Sequence, residues 1–359
     1  MRLITLLAFA GILATLAAQE SPMPVSRPSP LVGAIRWDAW SGGDVTVQVE
    51  RTLAPERFRS RLPWFAEVRA DGTVRIDGGR QAVMDQEIAY AAEAGLDHWA
   101  FLLYPEAKPT SASLRLYLAS PARSRLGFCL ILHNAFSVDD AAWPHERDRS
   151  LALLREPGYR TVADGRPLVY LFGVKRNGAL PVERIAEFRR LAAAQGPDPY
   201  LVYMGWNPVA DHRAMAPHGF AAVSAYACCS DDPTFARLAQ RAEAAWRSAA
   251  TAGIPYIPLV TTGWEKEPRK QNPVSWEIGD PYHRQTVFPS VATPEEIAGH
   301  LSRAIAFVRA NPAVCPANAI VAYAWNEHDE GGWLCPTWTA DGPDTGRLDA
   351  IRRVLRPQP

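Results

Sequence analysis

The sequence predicts an α/β fold, a single (β/α)8 TIM barrel with loop insertions on its C-terminal face. Three observations predict it: eight short apolar runs along the chain, segments with helical apolar spacing between them, and an aromatic, acidic turn after the first run. Strands that alternate with helices form a parallel sheet covered by helices. The predicted strands are 31–35, 97–103, 126–132, 167–172, 200–204, 221–226, 256–260 and 319–324.

Segments with helical apolar spacing separate several of these strands, and one more follows the last strand. Several of them carry end signals: Thr293 is an N-cap followed by Pro294 and two acidic residues, while Gly95 and Gly253 stop their helices. The predicted helices are 84–94, 182–194, 235–252, 294–309 and 345–355.

The turn after the first strand separates a closed barrel from a doubly wound open sheet. An open sheet would normally carry a glycine-rich phosphate loop there. Here the turn reads Arg36-Trp37-Asp38-Ala39-Trp40-Ser41-Gly42-Gly43, so the barrel is favoured. The long segments 41–79 and 264–292 are predicted to be loop insertions after strands one and seven. Barrel enzymes keep their active sites on this C-terminal face.

The N-terminal residues have the order of a secretory signal peptide: charged Arg2, then an apolar stretch, then small residues near Ala17 and Ala18. An uncleaved membrane anchor is the alternative, but the stretch is shorter than the roughly 20 residues that a bilayer span needs. We therefore expect a signal peptide at 1–18, a Pro/Ser-containing linker at 19–30 and one domain at 31–359. The expected location is secreted or periplasmic, with no stable membrane insertion after cleavage.

Charge and cysteine content exclude several classes of partner. Lys plus Arg and Asp plus Glu are equal at 38 each, so no basic field is available to hold nucleic acid. No Cys-x-x-Cys spacing predicts a zinc site, and we expect neither metal nor cofactor. The sequence leaves the oligomeric state open.

The five cysteines are an odd number for an exported chain, so at least one thiol is left out of an intrachain pair. Cys129 is expected to be a buried strand residue. Cys315 and Cys335 bracket the last strand and are candidates for a disulfide. Cys228 and Cys229 are adjacent, and two buried thiols are favoured there over a vicinal disulfide.

Aromatic and polar residues follow nearly every predicted strand. Flat aromatic faces cover the apolar side of a pyranose, while carboxylates, amides and histidines bind its hydroxyls. Any one of these aromatic residues is as consistent with ordinary packing, but their recurrence at one end of the strands predicts a carbohydrate substrate. The predicted substrate-binding residues are Trp37, Asp38, Trp40, Tyr104, His133, Asn134, Trp206, Tyr226, Trp264, Glu265, Arg269, Asn326, His328 and Trp333.

Glu327 and Glu330 lie in the turn that leaves the last strand, and residues three apart on a turn-like backbone share one side. Two carboxyl groups at close range cannot both ionise easily, which provides one acid and one base at neutral pH. Glycosidic cleavage requires such a pair. The alternatives are a capping or ion-pairing role for Asp329 or Glu330, and Asp329 also competes for either catalytic role.

The segment Trp325-Asn326-Glu327-His328-Asp329-Glu330-Gly331 resembles the Trp-Asn-Glu-Trp-x-Glu-Gly motif of WbsX-like proteins and of glycoside hydrolase family 99, the endo-α-mannosidases. The continuation Gly332-Trp333-Leu334-Cys335-Pro336 resembles the aromatic-Leu-x-Pro that often follows in that family. Segments 87–97, 128–134, 165–170 and 260–269 are also similar, so the resemblance covers most of the predicted domain.

The resemblance implies that Glu327 deprotonates a sugar 2-hydroxyl, which attacks the anomeric carbon to give a 1,2-anhydro sugar, while Glu330 protonates the departing oxygen. Net retention would follow, without a metal. Three positions depart from the family pattern: His328 replaces a Trp, Glu265 replaces an Asp, and Arg36-Trp37-Asp38 stands in place of a Tyr-rich run. Mannan specificity is therefore not carried over, and Arg36 is open to binding a charged sugar or to forming an ion pair.

The sequence thus predicts an exported retaining glycoside hydrolase acting on an α-linked polysaccharide or oligosaccharide, possibly mannan-like. Two alternatives remain. One is a transglycosylase or a glycosyltransferase-like enzyme of polysaccharide assembly, and the other is a non-catalytic glycan-binding barrel.

Overall fold

The computed structural model describes residues 28–357. The predicted signal peptide and residues 19–27 of the predicted linker lie outside the described residues. Within residues 28–357, eight parallel strands form one barrel, as predicted. They are β1 Leu31–Arg36, β2 His98–Leu103, β3 Gly127–Leu132, β4 Arg166–Leu171, β5 Tyr200–Met204, β6 Ala222–Ser224, β7 Leu259–Thr261 and β8 Ala319–Tyr323.

The strands follow one another around the barrel in chain order, and β8 pairs with β1. The remaining gap between β6 and β7 is bridged by the backbone just before β7. The Val223 amide donates to the Pro255 carbonyl at 3.0 Å, and the Ile257 amide donates to the Val223 carbonyl at 3.0 Å. The barrel is therefore closed through residues 255–257, which the sequence had placed partly within strand seven itself.

Helices cover the outside of the strands, and five of them confirm predicted segments. In residues 28–357 the helices are α1 Gly43–Leu53, α2 Gln81–Ala94, α3 Ala112–Ala119, α4 Trp143–Leu153, α5 Val182–Ala193, α6 Pro208–Met215, α7 Phe235–Ala252, α8 Glu267–Gln271, α9 Pro294–Ala310 and α10 Gly346–Leu355. Thr293 and Glu296 form a reciprocal capping box at α9. Gly95 and Gly253 adopt left-handed φ values of 92° and 65° after α2 and α7, as their positions predicted.

The two predicted insertions lie at the carboxyl ends of β1 and β7, but neither is only a loop. Segment 41–79 holds α1 and a small hairpin, and segment 264–292 holds α8 and two short 3-10 turns. The remaining short strands are Glu67–Val68, Val74–Arg75, Thr161–Val162, Asn326–Glu327, Gly332–Trp333, Thr337–Thr339 and Gly342–Asp344.

A charged pair lies buried beneath the end of β1. Arg36 donates to Glu87 of α2 at 2.7 Å, and its guanidinium lies 4.4 Å from the ring of Trp99. The indole N–H of Trp325 also donates to Glu87, at 2.9 Å. Of the two possibilities open for Arg36, the ion pair is therefore correct, because this side chain lies in the core and faces no sugar.

The cysteines differ in part from expectation. Cys129 is buried in β3, as predicted. The bridge considered for Cys315 and Cys335 is not formed, since the Cys335 thiol instead lies 3.5 Å from a Glu87 carboxylate oxygen. Cys228 is buried, but Cys229 is partly exposed, and the two form no vicinal disulfide. None of the helices found in residues 28–357 has the length and apolarity to span a bilayer.

Candidate active site

A cavity of about 1250 Å³ opens at the carboxyl ends of the strands, and every strand contributes a side chain to it. This is the face on which (β/α)8 enzymes assemble their sites. In strand order, the residues just beyond the strand ends that line it are Trp37, Tyr104, His133, Phe172, Trp206, Tyr226, Trp264 and Glu327.

Glu327 and Glu330 lie in a tight hairpin that follows β8. Asn326–Glu327 pairs antiparallel with Gly332–Trp333, and a 3-10 turn over His328–Glu330 joins the two short strands. Gly331 has a φ of 86°, a left-handed value that ends this turn and suits glycine. The hairpin aims both carboxyl groups into the same cavity, as the sequence predicted.

The two carboxyl oxygens of Glu327 differ, because one accepts a hydrogen bond and the other has no hydrogen-bond partner within residues 28–357. The hydroxyl of Tyr226 donates to Oε1 at 2.6 Å. Oε2 is buried, lies 3.7 Å from Arg269, and has no hydrogen-bond partner in the part of the chain that the structure describes. Burial and the negative charge of Glu330 raise the pKa of Glu327 well above its ordinary range. Glu327 lines the cavity, and its raised pKa and the oxygen without a hydrogen-bond partner suit it to take a proton from a substrate hydroxyl.

Glu330 is surrounded by donors and cations. Tyr323 and Arg269 donate to its two oxygens, and the Lys266 ammonium lies 3.4 Å from Oε1. Burial raises the pKa of Glu330, while the charges of Arg269 and Lys266 act in the opposite direction. The two carboxyl groups therefore differ in environment, which is how one acid and one base arise from two equal side chains.

Arg269 of α8 holds the acidic residues in place. It donates to Asp329 through Nε at 2.7 Å and Nη2 at 3.0 Å, and to Glu277 through Nη1 at 2.8 Å. Its guanidinium lies 5.1 Å from the ring of Trp37. Asp329 is 1% exposed and does not line the cavity, so the local competitor for a catalytic role orients Arg269 instead.

Aromatic rings form the walls of the cavity. Tyr226 stacks on the ring of Phe172 with centroids 4.1 Å apart. His133 also stacks on Phe172, with ring centroids 6.0 Å apart. At the rim, Trp206 is 64% exposed and Trp276 is 39% exposed, which is unusual for indoles in a folded domain. Such exposed rings are suited to stacking on sugar faces.

The structure brings eight of the fourteen predicted substrate-binding residues to this cavity. They are Trp37, Tyr104, His133, Asn134, Trp206, Tyr226, Trp264 and Arg269. The other six do not line it: Asp38, Trp40, Glu265, Asn326, His328 and Trp333.

The prediction of sugar contact is corrected for these six because each is engaged beneath or beside the cavity. The Asp38 carboxylate accepts from Ser41 and from the Ser113 amide. The Asn326 side chain accepts from the amide and donates to the carbonyl of Trp37, which ties the end of β1 to the hairpin that carries Glu327 and Glu330.

The other four residues, Trp40, Glu265, His328 and Trp333, lie within the hairpin or pack against it without lining the cavity. Trp40 packs edge-on against His328 at 4.9 Å, and Trp333 stacks on the same ring at 5.5 Å. Glu265 forms an ion pair with Arg61. These residues act through packing and therefore shape the site without entering it.

Several residues of the site were not predicted from the sequence. Lys266, Glu277 and Tyr282 belong to the insertion after β7, where position relative to a strand end gives no signal. Tyr323 was counted as part of the last strand, although its hydroxyl reaches Glu330. Phe172 was also assigned to a strand, but β4 ends one residue earlier and leaves it at the cavity.

The fold and the site define a (β/α)8 barrel with a buried carboxylate pair in an aromatic cavity at the strand ends. Two solved structures of the GH99 endo-alpha-mannosidase from Bacteroides thetaiotaomicron are similar to this chain. The complex with Bis-Tris propane is 12% identical with a TM-score of 0.55, over 90% of this chain and 94% of that chain. The other is 12% identical with a TM-score of 0.54, over 91% and 98%.

No protein-family profile and no curated protein matches the sequence. At 12% identity the two structural likenesses concern the fold. They confirm the predicted barrel and a resemblance in fold to glycoside hydrolase family 99.

We expect Gly263→Ala to lower kcat/KM by roughly 100-fold, the effect of a displacement of about 1 Å at a catalytic group. Gly263 has a φ of 151°, and a Cβ there would overlap the carbonyl oxygen of Gly331, next to Glu330. Gly253→Ala is the matched control, because that glycine has a φ of 65° and no atom within 4 Å of the added Cβ. Full activity in Gly263→Ala, measured on a glycan that the wild type cleaves, would contradict this packing account.

Proposed function

We propose that this protein is an exported, retaining glycoside hydrolase that acts on an α-linked polysaccharide or oligosaccharide through Glu327 and Glu330. The observation that carries the proposal is the pair of buried carboxyl groups with raised pKa values in an aromatic cavity on the C-terminal face of the barrel. The predicted signal peptide supports export, and the similarity to the GH99 endo-alpha-mannosidase fold supports the class of reaction.

The proposed first step uses Oε2 of Glu327, the oxygen that has no hydrogen-bond partner within residues 28–357. Oε2 takes the proton of the sugar 2-hydroxyl, whose oxygen forms a bond to the anomeric carbon as the glycosidic bond breaks. Glu330 donates its proton to the departing oxygen, which leaves a 1,2-anhydro sugar. Water then opens this ring, with Glu330 taking a proton from water and Glu327 returning one to the 2-oxygen. Two inversions at the anomeric carbon give net retention.

The resting protonation state differs from the state that this step needs. Lys266 and Arg269 favour an ionised Glu330, so in the free protein the proton shared by the pair favours Glu327. A sugar 2-hydroxyl that donates to Oε2 stabilises the ionised form of Glu327, because hydrogen bonds to a charged carboxylate lower its pKa. Substrate binding therefore shifts the shared proton toward Glu330, where it serves as the acid.

The proposal is tested by incubating the purified protein with a panel of α-linked oligosaccharides and polysaccharides and measuring the release of reducing ends. We expect turnover of at least one glycan by the wild type and its loss in Glu330→Gln. Saturable binding without turnover on any member of the panel would overturn the proposal in favour of a glycan-binding barrel. Transfer in place of hydrolysis at all acceptor concentrations would instead indicate a transglycosylase.

We expect Glu327→Gln to raise the free energy of unfolding near neutral pH by about 1 kcal/mol, within the range of single stabilising substitutions. Because the folded-state pKa of Glu327 is raised, the folded protein binds more protons than the unfolded chain above the ordinary carboxyl pKa. Its stability therefore falls as the pH rises through that range. Glutamine removes this loss, so the gain should disappear at about pH 4, below the ordinary glutamate pKa of about 4.3.

Denaturant unfolding of both proteins at the two pH values measures this gain. Glu330→Gln is the matched control and should give a smaller gain, because the charges of Lys266 and Arg269 offset part of the rise in the pKa of Glu330. An equal gain at both pH values would show that the effect does not come from the ionisation of Glu327.

A further inference from the structure

A second cavity of about 350 Å³ lies on the same side of the molecule as the catalytic hairpin but shares no lining residue with the active-site cavity. It is formed by the segment after α1, the segment that enters α9 and the residues that follow Gly332. Trp333 forms one wall. The polar side chains that line it are those of Arg57, Ser60, Arg61, Thr337, Asp344 and Arg347.

Arg347 brings a positive charge to this cavity without an acidic partner. It donates to the carbonyls of Trp333 at 2.7 Å and Ala292 at 3.0 Å, and its guanidinium lies 3.5 Å from the centre of the Trp333 ring. Within residues 28–357, no carboxylate lies within ion-pair distance of it. Burial and the charge of Arg61 lower the pKa of Arg347 to about 9.

The fully buried arginines within residues 28–357 have acidic partners, whereas Arg347 is only partly buried and has no carboxylate within ion-pair distance. Arg36 pairs with Glu87, and Arg269 pairs with Asp329. This is the usual arrangement, because a charge removed from water needs a counter-charge. The two carbonyls accept hydrogen bonds from Arg347 but do not neutralise its positive charge. The cavity can therefore attract an anion.

The neighbours of Arg347 increase the positive character of the cavity. Arg57 is exposed on its wall, and its contact in the described chain is with the ring of Phe58, at 4.9 Å. Arg61 is paired with Glu265, which lies outside the lining. Asp344 is the acidic residue that lines this cavity. Its carboxylate accepts a hydrogen bond of 2.8 Å from the Gly346 amide at the start of α10. The lining thus holds three guanidinium groups and one carboxylate, and Glu265 compensates one of the three, that of Arg61.

We propose that this cavity binds a tetrahedral oxyanion, a sulfate or phosphate group, between Arg57 and Arg347. Guanidinium groups bind such oxyanions through paired hydrogen bonds, and the hydroxyls of Ser60 and Thr337 are available as further donors. The volume lies at the lower end for small-molecule sites and exceeds one anion, so it accommodates a sugar ring that carries the group. The source is thus a free anion or a sulfated or phosphorylated sugar. This inference does not rest on the proposed function.

The test is a titration of the full chain with sodium sulfate, followed by thermal unfolding and calorimetry, against sodium chloride at equal ionic strength. We expect a saturable rise in Tm with sulfate that chloride does not give. Arg347→Met should abolish it, and Arg57→Met should weaken sulfate binding by about tenfold, the effect of losing one charge-assisted hydrogen bond. Arg352→Met, on the same helix but exposed and paired with Asp349, should bind as the wild type does.

Equal effects of sulfate and chloride, or wild-type binding in Arg57→Met and Arg347→Met, would overturn the proposal. Arg57→Met decides the matter if Arg347→Met fails to fold, because the exposed Arg57 has few contacts to lose. Titration with glucose 6-sulfate and with glucose distinguishes the sources. Tighter binding of the sulfate ester than of inorganic sulfate indicates a sugar substituent, and equal binding indicates a free anion.

Discussion

Glu330→Gln is expected to lower the turnover of an α-linked oligosaccharide by roughly 100- to 10,000-fold, the usual contribution of a general acid. The same variant should lose much less activity on the corresponding α-glycosyl fluoride, because fluoride departs without needing a proton and only the activation of water in the second step still depends on Glu330. The reason is structural: the carboxyl group of Glu330 lies in the cavity between Tyr323, Arg269 and Lys266, and the amide keeps its shape but cannot donate the same proton. Initial rates on the two substrates measure the difference.

Glu327→Gln is the informative counterpart. Since Glu327 is proposed to activate the sugar 2-hydroxyl, its loss should lower the rate on both the oligosaccharide and the fluoride. The two variants are matched in size and lie in one hairpin, so a general disturbance of the fold would affect them alike. If Glu327→Gln keeps activity on the fluoride and Glu330→Gln loses it, the two roles are reversed in this protein.

Arg269→Met is expected to lower the free energy of unfolding by about 3–5 kcal/mol, the range found when one partner of a buried ion pair is removed. Arg269 is 1% exposed and contacts Asp329, Glu277, Glu330 and Glu327, so its removal places several buried carboxylates together without their main cation. Activity should fall with it, since the pKa of each catalytic carboxyl group would rise further.

Denaturant unfolding measures this loss, with Arg352→Met as the control. Arg352 is exposed and pairs with Asp349, so its replacement should change stability by less than about 1 kcal/mol. Arg269→Lys should fall between the two, because lysine keeps the charge but cannot bind Asp329 through two nitrogens. A stability of Arg269→Met within about 1 kcal/mol of the wild type would refute the role of Arg269 as the organiser of the site.

The barrel strands were predictable because each is a short, continuous apolar run whose residues are buried, as in β2 and β3. The closure was less predictable. Residues 256 and 257 continue an apolar run into β7, yet their backbone bonds cross to Val223, and such a long-range pairing leaves no local signal.

Helix α1 was missed for a local reason. Its sequence is rich in β-branched residues, and Val45, Val47 and Val49 alternate with polar residues in the pattern of a strand. It also begins after Gly42, with no side chain to cap its first turn. Packing of Val49 and Leu53 against the core decides the helix, and the sequence alone does not provide that information.

The carboxylate pair was predictable because a strand end and a three-residue spacing place both groups on one side of a turn. The role of Arg269 was not. It was predicted to bind sugar, but four carboxylates surround it. Lys266 reaches Glu330 only because the insertion after β7 folds back onto the hairpin, an arrangement that depends on Gly263 and Gly331.

The central claim, that Glu327 and Glu330 cleave an α-glycosidic bond with retention, is tested most directly by the anomeric form of the first product. Time-resolved proton NMR of the wild-type reaction, recorded before mutarotation, should show the α-anomer of the new reducing end appearing first. An initial β-anomer would contradict the account, because it would mean that water attacks the anomeric carbon in a single displacement.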